Sequence, residues 1–170
     1  MKRGVLLLLC ALCALMLTSC RQTAERMARK IRFEGIEQVR MESLTTLAID
    51  CSIENATAYQ LRADRGVVRL RYKGSEVASM QLQEPVTVGR RTHGVVETRW
   101  KVDVRNPLAM LTVVARVAQE RYEDLTVDLA VEGSGGPVPV NISREKVPLS
   151  IFLNIFGIEP DFLTSILQQQ

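Results

Sequence analysis

Side chains that could act as nucleophiles, bases or metal ligands are few in this sequence of 170 residues. His93 is the only histidine, and it lies in the stretch GRRTHG, whose bounding glycines predict a solvent-exposed turn. A zinc site needs two or three further ligands, which Cys51 alone does not supply. The sequence contains no glycine-rich phosphate loop and no H-E-x-x-H motif. It therefore predicts no catalytic, metal or cofactor site.

Cys20 is the one residue whose surroundings predict covalent chemistry. It ends the stretch LTSC, which follows an apolar run from Val5 to Leu17 and the charged pair Lys2 and Arg3. This order is typical of a signal peptide, and the run is shorter than the roughly 20 residues of a membrane span. LTSC resembles the lipobox of bacterial lipoproteins. The resemblance implies that residues 1–19 are removed and that the Cys20 thiol carries a diacylglyceryl group.

The expected acyl chains would hold the protein at a bilayer, since each buried CH₂ contributes about 0.8 kcal/mol. Arg21, rather than an aspartate, follows the cysteine. By analogy with lipoprotein sorting in enteric bacteria, this favours the outer membrane, with the domain facing the periplasm. Residues 20–30 are predicted to be a lipidated tether, whose basic side chains either contact anionic headgroups or are simply solvated.

The charge balance of the mature chain argues against nucleic acid as a partner. Loss of Lys2 and Arg3 with the signal peptide lowers the net charge from +3 to +1, whereas nucleic-acid binding needs a clustered basic surface. Cys10 and Cys13 leave with the same segment. Since Cys20 is expected to be acylated, Cys51 has no partner for an internal disulfide.

A period of two dominates residues 31–147 and predicts half-buried strands. In TLAIDCSIE and VETRWKVDV the apolar residues alternate with polar ones, so that Cys51 is expected to be a core thiol and Trp100 a core anchor. LTVDLAVE and VPVNIS predict a hairpin around a Gly- and Pro-rich turn, and a first strand is expected to bulge near Gly35. The prediction is an all-β fold, an antiparallel β-sandwich of about seven short strands.

One stretch, NPLAMLTVVARVAQE, has helical rather than strand spacing. Asn106 and Pro107 supply the preferred N-cap and first helical residue. We therefore expect a helix over 107–119 across one end of the sandwich. Its predicted apolar stripe consists of Leu108, Leu111, Val114 or Ala115, and Ala118.

The run from Leu47 to Val104 resembles the late-embryogenesis-abundant type 2 domain, also called the water-stress and hypersensitive-response domain. The resemblance rests on the turn Asn55-Ala56-Thr57, on RLRYKGSEVASMQL and on PVTVGRRTHGVVETRWKVDV. Ala56 departs from the family, which has proline there. The resemblance implies a seven-stranded β-sandwich similar to fibronectin type III and immunoglobulin domains. It also implies a module without catalytic activity, linked to stress protection and in some related domains to lipid handling.

Residues 148–170 form a distinct apolar tail. Leu149, Phe152, Leu153 and Phe156 are spaced as one stripe of a short helix. In one interpretation the tail packs back over an open end of the sandwich or continues its edge strand. In the other it stays partly exposed and docks onto a partner or the bilayer. The candidate contact residues for a partner or lipid are Phe152, Ile155, Phe156, Arg90 and Arg91.

Two functions are compatible with these features. The first is a non-catalytic, lipid-anchored envelope protein that serves as a binding or stress-protective module. The alternative is a carrier or chaperone of an apolar ligand or lipid in the periplasm.

Overall fold

The computed structural model describes residues 29 to 158, so that the predicted signal peptide, Cys20 and residues 159–170 lie outside the described part. This part contains eight strands and two helices. In chain order they are β1 (Ile31–Ser43), β2 (Thr46–Asn55), β3 (Leu61–Tyr72), β4 (Ser75–Leu82), β5 (Val86–Val88), β6 (Thr92–Val104), α1 (Pro107–Ala118), β7 (Leu125–Gly135), β8 (Val138–Pro148) and α2 (Leu149–Ile155).

All strand pairings are antiparallel, in the order β1-β2-β6-β4-β3-β7-β8. This confirms the predicted all-β fold with a short helix. The number of strands is eight rather than seven, because β5 pairs with β3 after an interruption that separates it from β4. The first strand has the expected bulge, with a shift of register between Phe33 and Gly35.

The strands form one continuous hydrogen-bonded sheet, because β6 pairs with β2 along its first part and with β4 at its end. Its first ten residues pair with β2, and its last five pair with β4. Trp100 is paired with Leu47 on one side and with Leu82 on the other. The sequence did not predict this junction, since alternation within a strand does not say which strand is its neighbour.

Alternation along the strands gives the sheet an apolar inner face and a charged outer face. Directly paired residues such as Leu70 and Val127 point to the same side, which is the inner face. The outer face carries ion pairs between strands. Arg40 Nη2 lies 2.6 Å from Glu97 Oε2, and Arg71 Nε lies 2.6 Å from Asp128 Oδ2.

Both helices pack on the inner face of β3, β4 and β7, where they enclose the main core. Its buried members are Val77, Val113, Val117, Leu125, Val127, Leu149 and Leu153. The second helix forms within the apolar tail, where Leu149 and Leu153 are buried on the predicted stripe.

The first helix begins at its predicted start, where Asn106 Oδ1 accepts a hydrogen bond from the backbone N–H of Ala109 at 3.0 Å. The predicted stripe, however, faces the wrong way: Leu108 is 78% and Leu111 68% exposed, while Val113 and Val117 are buried. The helix is apolar on more than one side, so its own sequence pattern does not determine which side is buried. Packing against Val77 and Leu125 determines it.

Three predicted environments also need correction. Trp100 is only half-buried; its ring lies over Gly66, and its Nε1 donates to Thr98 Oγ1 at 2.8 Å. Cys51 is half-buried on the inner face of β2 rather than fully buried. His93 lies in β6 rather than in a turn, although it is exposed as expected. Between residues 29 and 158, neither helix is long and apolar enough to cross a membrane.

Candidate functional site

The predicted contact residues Arg90 and Arg91 lie in the loop between β5 and β6, here called the arginine loop (89–91). Asn55, which is fully buried, holds this loop through its side-chain amide. Its Nδ2 donates to the backbone oxygens of Tyr59 at 2.9 Å and Gly89 at 2.7 Å. Its Oδ1 accepts from the N–H and hydroxyl of Thr57 at 3.1 and 2.7 Å. Because all these polar groups are satisfied within the protein, Asn55 has a structural role.

The predicted tether meets the domain beside the arginine loop. The backbone N–H of Ala56 donates to the oxygen of Lys30 at 2.9 Å, and the N–H of Arg91 donates to the oxygen of Thr57 at 3.0 Å. Lys30, Arg90 and Arg91 are all exposed. The end of the domain that leads to Cys20 therefore presents basic side chains. We call it the basic end.

The opposite end of β6 carries exposed apolar side chains. Since a strand rises about 3.3 Å per residue, the thirteen residues of β6 separate the two ends by up to about 40 Å. The turn between β1 and β2 reaches this far end, because the N–H of Val102 donates to the oxygen of Thr45 at 2.8 Å. We call this set of exposed residues the distal surface, and it consists of Leu44, Val104, Leu108 and Leu111.

The tail residues predicted as contacts separate into packed and exposed ones. Phe152 and Phe156 are half-buried and stack with ring centroids 4.6 Å apart, and Phe156 meets Phe33 of β1 edge-on at 5.2 Å. Ile155, in contrast, is 65% exposed. The described part of the tail thus packs on the domain through its aromatic side chains. The sequence gives no signal for Phe33, because its contact with Phe156 spans nearly the whole domain.

The outer face brings together a serine, an acid and the histidine, in an order that does not activate the serine. Ser52 Oγ donates to Glu34 Oε2 at 2.9 Å, and His93 Nε2 lies 2.7 Å from the same oxygen. The carboxylate thus occupies the position between hydroxyl and imidazole, whereas a nucleophilic serine needs the imidazole beside it. Hydrogen bonds from His93 and Ser52 lower the pKa of Glu34, which makes it a weaker base.

Asp128 is a buried acid that the sequence analysis missed. It is 7% exposed, and its oxygens accept from Arg71 Nε at 2.6 Å and from the backbone N–H of Lys146 at 2.9 Å. Burial acts to raise the pKa of Asp128, but the hydrogen bonds from Lys146 and Arg71 outweigh it and leave the pKa lowered. A shallow depression of about 510 Å³ beside this pair has mixed charges around it.

Within residues 29–158, no three His, Cys, Asp or Glu side chains lie close enough together to hold a metal ion. The second depression, of about 210 Å³, lies between the β4–β5 connection and β6 and includes Glu84, Glu97 and Arg99. Neither depression is an enclosed apolar cavity, because both have charged side chains in their linings. The features with an evident potential for binding are therefore the basic end, the distal surface and the tail.

Comparisons with known proteins show only distant similarity. No protein-family model matches the chain. No curated protein matches it at a significant level. Among solved structures it is similar to "Crystal structure of protein from Archaeoglobus fulgidus", with 13% sequence identity, a TM-score of 0.42, and coverage of 66% of this chain and 91% of that chain.

Proposed function

We propose that this protein is a non-catalytic, lipid-anchored envelope module that presents its distal surface to another protein of the envelope. The observation that carries the proposal is the exposure of Leu108 and Leu111 on α1, at 78% and 68%. Large apolar side chains grouped at one end of a domain are typical of an interaction site.

The position of the tether supports a protein rather than the bilayer as the partner. Lys30, the last residue of the predicted tether, hydrogen-bonds at the basic end, where Arg90 and Arg91 can meet anionic headgroups. A domain held this way directs α1 away from the lipid surface. Apolar residues so far from the membrane are available to a partner that stands beside it in the periplasm.

The lipobox resemblance supports the anchor, and the late-embryogenesis-abundant resemblance supports a module without catalysis. Replacement of Cys20 by Ser should leave the precursor uncut and block incorporation of labelled palmitate. Incorporation in this variant equal to that of the wild type would contradict a lipid anchor at Cys20.

Site-specific photocrosslinking in intact cells tests the distal surface. A photoreactive amino acid at Leu111 should give one discrete protein adduct, which the additional change Leu108→Lys should abolish because it places a charge in an apolar contact. The same amino acid at exposed Thr87 of β5 is the matched control and should give no such adduct. Identical adducts at both positions, or crosslinks to lipid alone at Leu111, would contradict the proposal.

A further inference from the structure

The exposed side of α1 carries no charged side chain. The exposed residues of this helix are Pro107, Leu108, Leu111, Thr112, Ala115 and Ala118. Its one charged residue, Arg116, is half-buried, and its Nη1 lies 3.7 Å from Glu123 Oε2. A helix whose outer side contacts only water normally has charged or polar residues on that side. The composition of α1 therefore indicates that its exposed side contacts another protein.

Four of these residues form one stripe along the helix. Leu108, Leu111, Ala115 and Ala118 have the alternating spacing of three and four that places side chains on one side of a helix. We call this stripe the α1 seam. Its N-terminal half carries two large side chains, 78% and 68% exposed, and its C-terminal half carries two small ones. A matching surface therefore needs small side chains opposite the leucines and large ones opposite the alanines.

A second α1 in antiparallel orientation has this complementary order. When a two-fold axis passes the helices at the level of residue 113, Leu108 lies opposite Ala118 of the other copy, and Leu111 lies opposite Ala115. Large side chains then meet small ones along the whole seam, as close helix packing requires. In a parallel pair, leucine would meet leucine at one end, and alanine would face alanine across a gap at the other.

The two ends of α1 are complementary in charge as well. The first turn of α1 contains no acidic residue, so no carboxylate of its own lies at the positive end of the helix dipole. Glu120 is exposed and lies two residues after the helix ends. In the antiparallel pair, each Glu120 comes to the N-terminal end of the other helix. This attraction occurs at both ends and favours the antiparallel orientation over the parallel one.

We propose that the partner of the distal surface is a second copy of this chain, bound through antiparallel pairing of the two α1 seams. This inference rests on the proposed function and deepens it by naming the partner. A helix of 12 residues is about 18 Å long, so the contact is smaller than a standard stable interface. The pairing is therefore weak between free domains and forms where copies share one lipid surface, which raises their effective concentration.

Paired cysteines test both the partner and the orientation. The full chain carries Leu108→Cys with Ala118→Cys, and Cys51→Ser so that this thiol cannot compete. The two introduced cysteines lie about 15 Å apart along one helix, too far for a disulfide within the chain. Mild oxidation of intact cells should convert most of the double variant into a covalent dimer.

The two single variants are the matched controls for this experiment. Leu108→Cys alone and Ala118→Cys alone should stay monomeric, because the two copies of either position lie at opposite ends of the antiparallel pair. Equal dimer yields in the single and double variants, or no dimer in the double variant, would overturn the proposal. Circular dichroism verifies that each variant is folded.

Exchange of large and small side chains tests the complementarity without a disulfide. A photoreactive amino acid at Thr112, on the same side of α1, should give an adduct of twice the mass of the chain. Ala115→Leu alone should lower its yield several-fold, because leucine would then meet leucine. The double variant Leu111→Ala with Ala115→Leu should restore the yield, because each leucine again lies opposite an alanine. Equal yields in all three chains would contradict the pairing.

Photocrosslinking from Leu111, with mass spectrometry of the adduct, separates this inference from the proposed function. An adduct between two copies of the chain supports both. A discrete adduct with a different protein retains the proposed function and overturns the second copy as partner. Absence of any protein adduct overturns both.

Discussion

The covered and open parts of the inner face show that one pattern of alternation can have two outcomes. On β3, β4 and β7 the apolar residues meet α1 and α2, and Leu125 and Val127 are almost completely buried. On β1 and β2 the same alternation leaves Phe33, Met41 and Cys51 partly exposed. Strand patterning therefore determines which side chains share a face, but burial depends on what the rest of the chain places over that face.

The largest expected effect concerns the covered part. Leu153→Ala removes a side chain that is 5% exposed and should lower the free energy of unfolding by about 2–5 kcal/mol. Ile53→Ala, on β2 in the open part, should cost about 1 kcal/mol, because water already contacts part of the side chain. Urea unfolding of both variants measures the difference.

Equal losses for Leu153→Ala and Ile53→Ala would contradict the division into a covered and an open part. Circular dichroism verifies that both variants are folded before the two losses are compared.

The second prediction concerns Asp128, on the outer face behind the covered part, and the dependence of stability on pH. Hydrogen bonds lower the pKa of Asp128 in the folded protein. Its contribution to the free energy of unfolding is therefore complete above the pKa of an unfolded aspartate, about 3.9, and is lost as the pH falls through the lower pKa of the folded state. Asp128→Asn should cost about 1–3 kcal/mol at neutral pH and almost nothing well below pH 3. Melting curves from pH 7 to pH 2 would show this convergence; a constant difference would contradict it.

Trp100 and Gly66 lie at the junction of the two parts and allow a test of their coupling. A Cβ atom on Gly66 would lie 2.8 Å from Trp100 Cη2, so Gly66→Ala should cost about 1–3 kcal/mol through a forced shift of the ring. The same change should cost less in a Trp100→Leu background, where no ring is present. A double-mutant cycle by denaturant unfolding gives the coupling energy, and strictly additive losses would contradict a direct contact.

The smallest effect is expected for the ion pair on the outer face behind the open part. Arg40 contacts Asp50 at 3.2 Å, but both its side chain and that of its second partner, Glu97, are over 40% exposed. Asp50→Asn should lower the melting temperature less than Asp128→Asn does, and added salt should remove most of the difference. A salt-insensitive loss as large as that of Asp128→Asn would show that the two ion pairs are equivalent.

The sequence predicted the strand faces, the hairpin of β7 and β8, and the start of α1, because each depends on residues close together in the chain. It did not predict the partner change of β6, the buried stripe of α1 or the burial of Asp128. These features depend on contacts between distant segments. At the candidate site, the arginine loop and the tail helix follow from local spacing, whereas the contact between Phe33 and Phe156 does not.

The strands at the two ends of the sheet order, β1 and β8, bear on self-association. β1 is interrupted by three shifts of register, and β8 by one, opposite Val127 and Leu129. In β8, Lys146 has φ 55°, and its N–H bonds to the Asp128 carboxylate rather than continuing the backbone ladder. Irregular edges with charged side chains are poor templates for an added strand. If the proposed anchor at Cys20 concentrates copies side by side on a lipid surface, these edges would oppose their joining edge to edge into fibrils.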